Sequence, residues 1–272
     1  MRSYGMRLLA AVLMAGGWAA AVPAHAQQIL ASGPAQHDKA RLSGFIWRGK
    51  PQGTLDFDQL DEIQGFEDGV DVTEVLGFDK PSNGWILEGN FAPGRKHHVI
   101  VELSRLEASG AAAIDFPGIG SIPAFTIDTT SEIALREFHA FYNYLFVARP
   151  QVEFGLLAGL GWFDTDAELL ASVGSARAGL DQAFPSFGGN LMVNPQGPVR
   201  GYVEISGFPR VEIEDLSGWQ LDLAARLEVF VVRNFGLIVG YRHYQLVFDH
   251  DGQDIALDLT WNGFTFGAQA RF

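Results

Sequence analysis

The sequence predicts an all-β protein, a closed antiparallel transmembrane β-barrel of ten strands. Three observations support this: many segments alternate polar and apolar residues, these segments are long, and the turns at one end are short. Alternation with a period of two is typical of strands whose two faces meet different surroundings. A strand that crosses a bilayer needs about 9–11 residues, against about five or six in soluble sheets.

The N-terminus carries an export signal that is set aside from the fold. Arg2 and Arg7 precede an apolar stretch over 8–22, and Ala24 and Ala26 form a small-residue cleavage site. These parts indicate a secretory signal peptide, because a membrane anchor would be longer and would lack the cleavage site. The predicted division is a signal peptide over 1–26, an N-terminal periplasmic segment over 27–39 and a barrel over 40–272.

Composition excludes several classes of protein. The chain has no cysteine, so it has no disulfide, thiolate metal site or cysteine nucleophile. A formal net charge of -13 argues against nucleic-acid binding. Although 47% of the residues are hydrophobic, no apolar run after Gln27 is long enough for a membrane-spanning helix. We expect neither a metal nor a cofactor.

The clearest strand covers 219–231, where two faces differ along the whole segment. One face is apolar: Trp219, Leu221, Leu223, Ala225, Leu227, Val229 and Val231. The other is largely polar: Gln220, Asp222, Ala224, Arg226, Glu228 and Phe230. The full set of candidate strands is 40–48, 84–92, 98–108, 132–147, 152–164, 186–193, 199–213, 219–232, 235–248 and 255–272. If 40–48 and 186–193 lie outside the wall, eight strands remain.

The connections between these strands alternate between short and long. Turns are predicted at 93–96, 149–151, 194–197 and 233–234, and long loops at 49–83, 109–131 and 167–185. Short periplasmic turns and longer outer loops are typical of outer-membrane barrels. The loop over 109–131 is apolar enough to form a hairpin that extends above the membrane.

The first long outer loop, 49–83, is strongly acidic. Phe57, Leu60 and Ile63 have helical spacing, which predicts a short amphipathic helix near 56–64. The acids could hold divalent cations near lipopolysaccharide, the loop could plug the outer mouth, or the segment could be a solvated acidic surface.

The polar faces of the strands predict a charged lumen, with the apolar side of each strand turned to lipid. The expected lumen residues are Glu88, Glu102, Glu137, His139, Glu153, Glu204, Asp222, Arg226, Glu228 and Arg242. An unpaired charge in a narrow, dry lumen is costly, so Arg226 and Arg242 are expected to neutralise the acids.

Aromatic residues near the predicted strand ends suggest girdles at the two membrane surfaces, where such rings are favoured. The candidates are Trp47, Trp85, Tyr144, Phe146, Trp162, Trp219 and Phe235.

The last strand carries a family resemblance. Phe264, Phe266, Ala268, Ala270 and Phe272 share one face, and the sequence ends at Phe272. This pattern resembles the terminal strand of bacterial outer-membrane proteins, which the barrel assembly machinery recognises. Together with the signal peptide, it makes the chain similar to small outer-membrane barrels of the OmpA, OmpW and lipid A deacylase kind. The resemblance implies a Gram-negative outer membrane and contact with outer-membrane lipid and lipopolysaccharide, but no activity.

The expected function is therefore a non-enzymatic barrel with a charge-paired interior, in a structural or binding role or as a narrow channel. An alternative is an acyl hydrolase acting on lipid A or phospholipid. The lipid A deacylases carry His and Ser two apart on one strand, whereas Gln245 stands here where Ser would follow His243, and Glu137 and His139 share a face without an obvious serine. A second alternative is a soluble periplasmic barrel that binds an apolar ligand. We predict no catalytic residue and leave the oligomeric state open.

Overall fold

The computed structural model describes residues 38–57, 70–73, 76–116, 125–171, 174–213, 216–250 and 255–272. The predicted signal peptide, with Ala24 and Ala26, and the segment as far as residue 37 lie outside these ranges. So does the predicted helix, apart from Asp56 and Phe57, which belong to a strand.

A single antiparallel sheet makes up the described structure. Its strands are β1 (Ala40–Phe57), β2 (Val70–Asp71), β3 (Ser82–Gly94), β4 (His97–Phe116), β5 (Phe125–Ala148), β6 (Val152–Ala171), β7 (Gly174–Val193), β8 (Val199–Ile213), β9 (Leu216–Val232), β10 (Phe235–His250) and β11 (Ile255–Arg271). The two-residue β2 pairs only with β1, and the other ten strands form the wall. In these ranges no helix is long and apolar enough to cross a membrane.

The wall closes because the first and last long strands pair. The register of β1 with β11 runs from Arg41 opposite Arg271 to Phe57 opposite Ile255. Each remaining wall strand pairs with its neighbours in sequence, so the wall is closed in its half near Ala40 and Arg271. Further from that end, the ladders of β1 with β3, β3 with β4 and β7 with β8 stop before the strands do. The predicted ten-stranded closed barrel is confirmed, and the eight-stranded alternative is wrong.

The two ends of the barrel differ. At the end that holds Ala40 and Arg271, called the terminal end here, adjacent strands are joined by the predicted short turns. One turn is built around Asn194, whose φ is 56° and whose carbonyl accepts a hydrogen bond from the Gly197 N–H at 2.9 Å. We call the opposite end the loop end.

The predicted long loops are wrong in their bounds, because the strands continue through much of them. Strand β1 reaches Phe57, the β4–β5 pairing reaches Phe116 opposite Phe125, and the β6–β7 pairing reaches Ala171 opposite Gly174. The apolar segment after residue 109 therefore does extend the β4–β5 hairpin. Continued backbone pairing is favourable at the loop end because it satisfies the ladder donors and acceptors of the strands that pair there.

In the half of the barrel near the terminal end, the outward side chains are apolar, while the inward ones include the charged residues beside a small apolar cluster of Ile100, Phe141 and Leu157. On β9, Leu221, Leu223 and Leu227 face outward, whereas Asp222 and Glu228 are buried inside. Exposed outward residues of the same level include Leu42, Ile46, Phe154, Leu156, Leu160, Leu237, Val239, Phe264 and Phe266. This half has the polarity expected of a barrel wall in lipid.

In the half near the loop end the polarity is reversed, which the sequence did not lead us to expect. Its inward side chains form a buried apolar core that includes Trp47, Leu55, Leu106, Ile133, Leu135, Phe163, Leu246, Leu259 and Trp261. Its outward positions are polar, among them Arg105, Glu107, Arg136 and Asp166. Strands of up to 24 residues are longer than the hydrocarbon layer requires, so their loop-end portions have the pattern of a water-facing barrel.

For one predicted girdle residue, Trp47, the predicted outward position is wrong. Trp47 lies inside the core, fully buried, because the even-numbered neighbours Ile46 and Arg48 take the outward positions of β1. The outward rings Trp85, Tyr144, Phe146, Trp162 and Phe235 are exposed, as predicted, while Trp219 is half-buried and packs near the core.

The segment after β2 covers part of this core from the loop end. Val72, Leu76 and Phe78 are buried within the core cluster, and the Ser131 hydroxyl donates a hydrogen bond to the Leu76 carbonyl. A Cβ at Gly110 would lie 2.1 Å from the same carbonyl oxygen. Glycine is therefore required where β4 meets this segment.

Candidate functional site

The register of neighbouring strands assembles a charged layer inside the terminal half of the barrel. Ser43 of β1 stands opposite Glu88 of β3, Glu88 opposite Glu102 of β4, and Glu102 opposite His139 of β5. Two carboxylates directly opposite each other on one face repel, so this row requires cations from elsewhere in the lumen. Strands β1, β9 and β10 supply them.

Arg41 and Arg226 hold the first of these carboxylates from two sides. Arg41 lies 3.1 Å from Glu88 and 3.6 Å from Glu228, and Arg226 lies 2.5 Å from Glu88 and 4.0 Å from Glu102. The Arg226 guanidinium also lies 4.4 Å from the centre of the Phe45 ring. Each arginine thus bridges two acids rather than neutralising one.

Arg242 continues the same chain of charges. Its Nη2 lies 2.7 Å from Glu102, its Nε donates to Asp222 at 2.9 Å, and its guanidinium lies 5.1 Å from the Trp47 ring centre. Acids and arginines therefore alternate across the lumen, from Glu228 through three arginines to Asp222. Charge-assisted bonds of this kind are the strong ones in a dry interior, and each arginine fixes two strands to one another.

Glu137 is held mainly by neutral donors. Tyr244 donates to it at 2.6 Å, Gln220 at 2.8 Å and Ser104 at 3.1 Å, while His139 Nε2 lies 3.8 Å away. The carboxylate is buried, and its bonds link β4, β5, β9 and β10. This second cluster lies directly beside the apolar core, which Tyr244 joins.

The two candidate histidines lie on opposite sides of the wall. His139 is buried in the lumen, stacked 5.5 Å from Phe141 and edge-on to Phe184 at 5.9 Å. His243 is half-buried and hydrogen-bonded to Asn262 on the outward face. The nearby Ser104 donates its hydroxyl hydrogen to Glu137, which is not the serine-to-histidine bond that activates a nucleophile.

Of the two remaining predicted lumen residues, Glu204 lies level with the layer, opposite Ala224 of β9, and Glu153 lies toward the terminal mouth. Glu204 is half-buried and accepts a hydrogen bond from Tyr202. Glu153 lines a cavity of about 50 Å³ together with Asp38, Arg41 and Arg200. Thus all ten predicted lumen residues face the interior or its mouth, although these two are less enclosed than the rest.

Sequence reasoning missed several members of the layer. Arg41 was not predicted, although it shares an alternating face with Ser43, opposite the outward-facing Leu42. Arg200 was also missed; it pairs with Asp38 at 2.8 Å and lies 4.5 Å from the Phe230 ring centre. Other members that were missed include Ser104, Tyr202, Gln220, Tyr244 and Gln269. All of them stand at inward positions of period two, and that periodicity was the available signal.

The layer closes the lumen. Among the described residues, Arg41, Glu88, Glu137, Glu228 and Arg242 are each between 1% and 6% exposed. A continuous water-filled passage would expose the side chains that line it, and these five are buried. Within the same part of the chain, no three His, Asp or Glu side chains are placed to hold a metal ion.

Comparisons with known proteins add solved structures of low similarity. No family model matches the sequence. No curated protein matches it either. The chain is similar in structure to the outer membrane protease OmpT from Escherichia coli, with 10% identity, coverage of 85% of this chain and 97% of that one, and a TM-score of 0.45. It is also similar to the attachment invasion locus protein Ail of Yersinia pestis, crystallised with the heparin analogue sucrose octasulfate, with 14% identity, coverage of 86% and 99%, and a TM-score of 0.36. The toluene transporter TodX of Pseudomonas putida matches with 9% identity, coverage of 90% and 93%, and a TM-score of 0.34.

Proposed function

We propose that this chain is a non-enzymatic, non-conducting barrel of the Gram-negative outer membrane, in a structural or binding role carried by its loop-end half. The observation that carries the proposal is the reversal of polarity along the strands. A terminal half that is apolar outside and charged inside suits lipid, and a loop-end half that is polar outside suits water.

The height of the apolar band supports a membrane location. On β9 the outward apolar residues run from Leu221 to Val231, ten residue steps apart. At about 3.3 Å per residue and a tilt of about 40°, these steps rise about 25 Å, which is the height of the apolar band of outer-membrane barrels. Soluble barrels have the opposite arrangement, so the periplasmic alternative does not account for this band.

The orientation follows from the two ends. Short turns and both ends of the described chain lie at the terminal end, which supports a periplasmic position for that end. In the proposed assembly signal, Phe264, Phe266, Ala268 and Ala270 lie on the outward face of β11, and the exposed Phe272 follows the strand. The signal is therefore available to the barrel assembly machinery, and the loop end extends among lipopolysaccharide.

Fractionation and gel mobility test the membrane location. Envelopes of cells that express the full chain are separated on a sucrose gradient, and samples are run with and without boiling. We expect the protein in the outer-membrane fraction and a folded band that shifts on heating. Release by osmotic shock without detergent would contradict the proposal.

Planar-bilayer recording tests the closed lumen. The purified chain should add no conductance steps above the background of a protein-free bilayer. The matched comparison is Arg242→Ala, which removes the largest buried side chain of the Glu102–Asp222 bridge and should introduce conductance steps that the unaltered chain lacks. Regular steps from the unaltered chain would show that the charged layer permits ion passage.

A further inference from the structure

A row of charged residues lies outside the wall where its polarity changes. On β4, β5 and β6 exposed apolar residues reach this level at Leu103, Phe138 and Trp162. Two residues further toward the loop end, the outward positions hold Arg105, Arg136 and Asp164 respectively. This step of about 6–7 Å takes the surface from hydrocarbon to the level of the headgroups.

Two arginines are neighbours in this row. The register places Arg105 directly opposite Arg136, with Trp85 on the other side of Arg105. Cβ atoms of directly opposite residues lie about 4.5–5.5 Å apart, so both guanidinium groups can reach one ligand. Like charges in this arrangement destabilise a sheet, and a bound anion would relieve the repulsion.

The existing partners of both arginines leave hydrogen-bond donors for a ligand. Arg105 bonds Glu107 through Nε and Nη2, and Arg136 bonds Asp164 and Asp166 through Nη1, the latter at 3.1 Å. The hydrogen bonds to Asp164 and Asp166 raise the pKa of the Arg136 guanidinium, which stays charged. A guanidinium has five N–H donors, so each can bond a phosphate while keeping a carboxylate.

We propose that Arg105 and Arg136 together bind a phosphate group of a phosphorylated lipid headgroup in the outer leaflet. The proposal rests on the membrane location argued above and specifies where the barrel binds lipid. The apolar residues directly below, Leu103 and Phe138, then contact the acyl chains of the same lipid. Arginine suits this role because its planar fork matches phosphate oxygens two at a time.

The surrounding acids set the conditions of binding. Glu107, Asp164 and Asp166 hold the two side chains at the wall, where they are 42% and 38% exposed. They also repel phosphate, so binding should be selective for a ligand whose acyl chains add apolar contact. Free phosphate is therefore expected to bind far more weakly than the lipid.

The test measures binding of diphosphoryl lipid A to the folded full chain in detergent by native mass spectrometry, with EDTA present. The double variant Arg105→Gln/Arg136→Gln is compared with the unaltered chain and with Arg210→Gln. Arg210 is the matched control, because it pairs with Glu212 at 3.0 Å on the outward side of β8 as Arg105 pairs with Glu107. Gel mobility before and after boiling verifies that each variant is folded.

We expect the double variant to weaken binding by about tenfold for each arginine, and Arg210→Gln to leave it unchanged. The effect should vanish with dephosphorylated lipid A, and millimolar inorganic phosphate should not compete. Equal binding by all three chains would overturn the proposal, as would full competition by inorganic phosphate. These outcomes leave the membrane location intact, since that depends on fractionation and heat-shifted mobility of the unaltered chain.

Discussion

Replacing Arg242 with Met tests whether the charged layer holds the barrel together. Arg242 is 1% exposed and bridges Glu102 and Asp222, so the variant leaves two buried carboxylates without their common cation. Removing one partner of a buried ion pair costs about 3–5 kcal/mol, and the double bridge places this variant near the upper value. Methionine keeps much of the apolar volume beside Trp47, so loss of packing contributes little.

The measurement is a urea titration of the chain folded in phospholipid vesicles, followed by tryptophan emission and by gel mobility. Arg210→Met is the matched control, because Arg210 is exposed and its pair with Glu212 should contribute less than about 1 kcal/mol. Adding Glu102→Gln and Asp222→Asn to Arg242→Met should restore most of the loss, since no uncompensated charge then remains. Equal unfolding free energies for Arg242→Met and Arg210→Met would refute the reasoning.

Three further variants, measured by the same titration, test the backbone, the lipid-facing surface and the loop-end core. Gly53→Ala should cost about 1–3 kcal/mol, because φ is 126° and the added Cβ would lie 1.7 Å from a carbonyl oxygen of β11; Gly44→Ala, with its nearest neighbour at 4.0 Å, should change little, and equal losses would contradict this account. Leu156→Arg should cost about 2–4 kcal/mol in lipid, whereas Glu168→Arg further along β6 should stay within about 0.5 kcal/mol, and the reverse order would place the membrane wrongly. Phe78→Ala should cost about 3–5 kcal/mol as a core truncation, and a negligible loss would show that the covering segment does not stabilise the core.

The terminal half could be predicted from the sequence because one periodicity governs it. The segment 219–231 has an apolar face and a charged face, and the structure turns the second inward with Asp222, Arg226 and Glu228. That β11 completes the wall could also be predicted, since its alternating residues resemble those of the last strand of an outer-membrane barrel. Ion pairs between distant strands could not be predicted, because no local pattern in the sequence indicates that Arg226 bonds Glu88, 138 residues away.

The loop-end half could not be predicted because its alternation has the same period with opposite meaning. Trp47 and Ile46 are both large and apolar, yet one fills the core and the other faces outward. A pattern of period two states which residues share a face, but not which face meets lipid. Which face meets lipid depends on the level at which the surroundings of the wall change from lipid to water. The sequence marks this level weakly, by a change from an apolar to a charged residue at successive outward positions, such as Leu103 and Arg105 of β4.

That change of level explains why the polar layer and the apolar core occur together in one barrel. In the proposed membrane location, hydrocarbon surrounds the terminal half and provides no hydrophobic drive for closing the wall, so cross-lumen ion pairs such as those of Arg242 would attach the strands to one another. Where the outer surface faces water, burial of residues such as Phe163 and Leu246 supplies it instead. Truncating the core should therefore destabilise the barrel in detergent and in lipid alike. The loss of stability on breaking the charged layer should instead depend on how apolar the surroundings of the wall are. Where water reaches the layer, it would screen the unpaired carboxylates and reduce the loss.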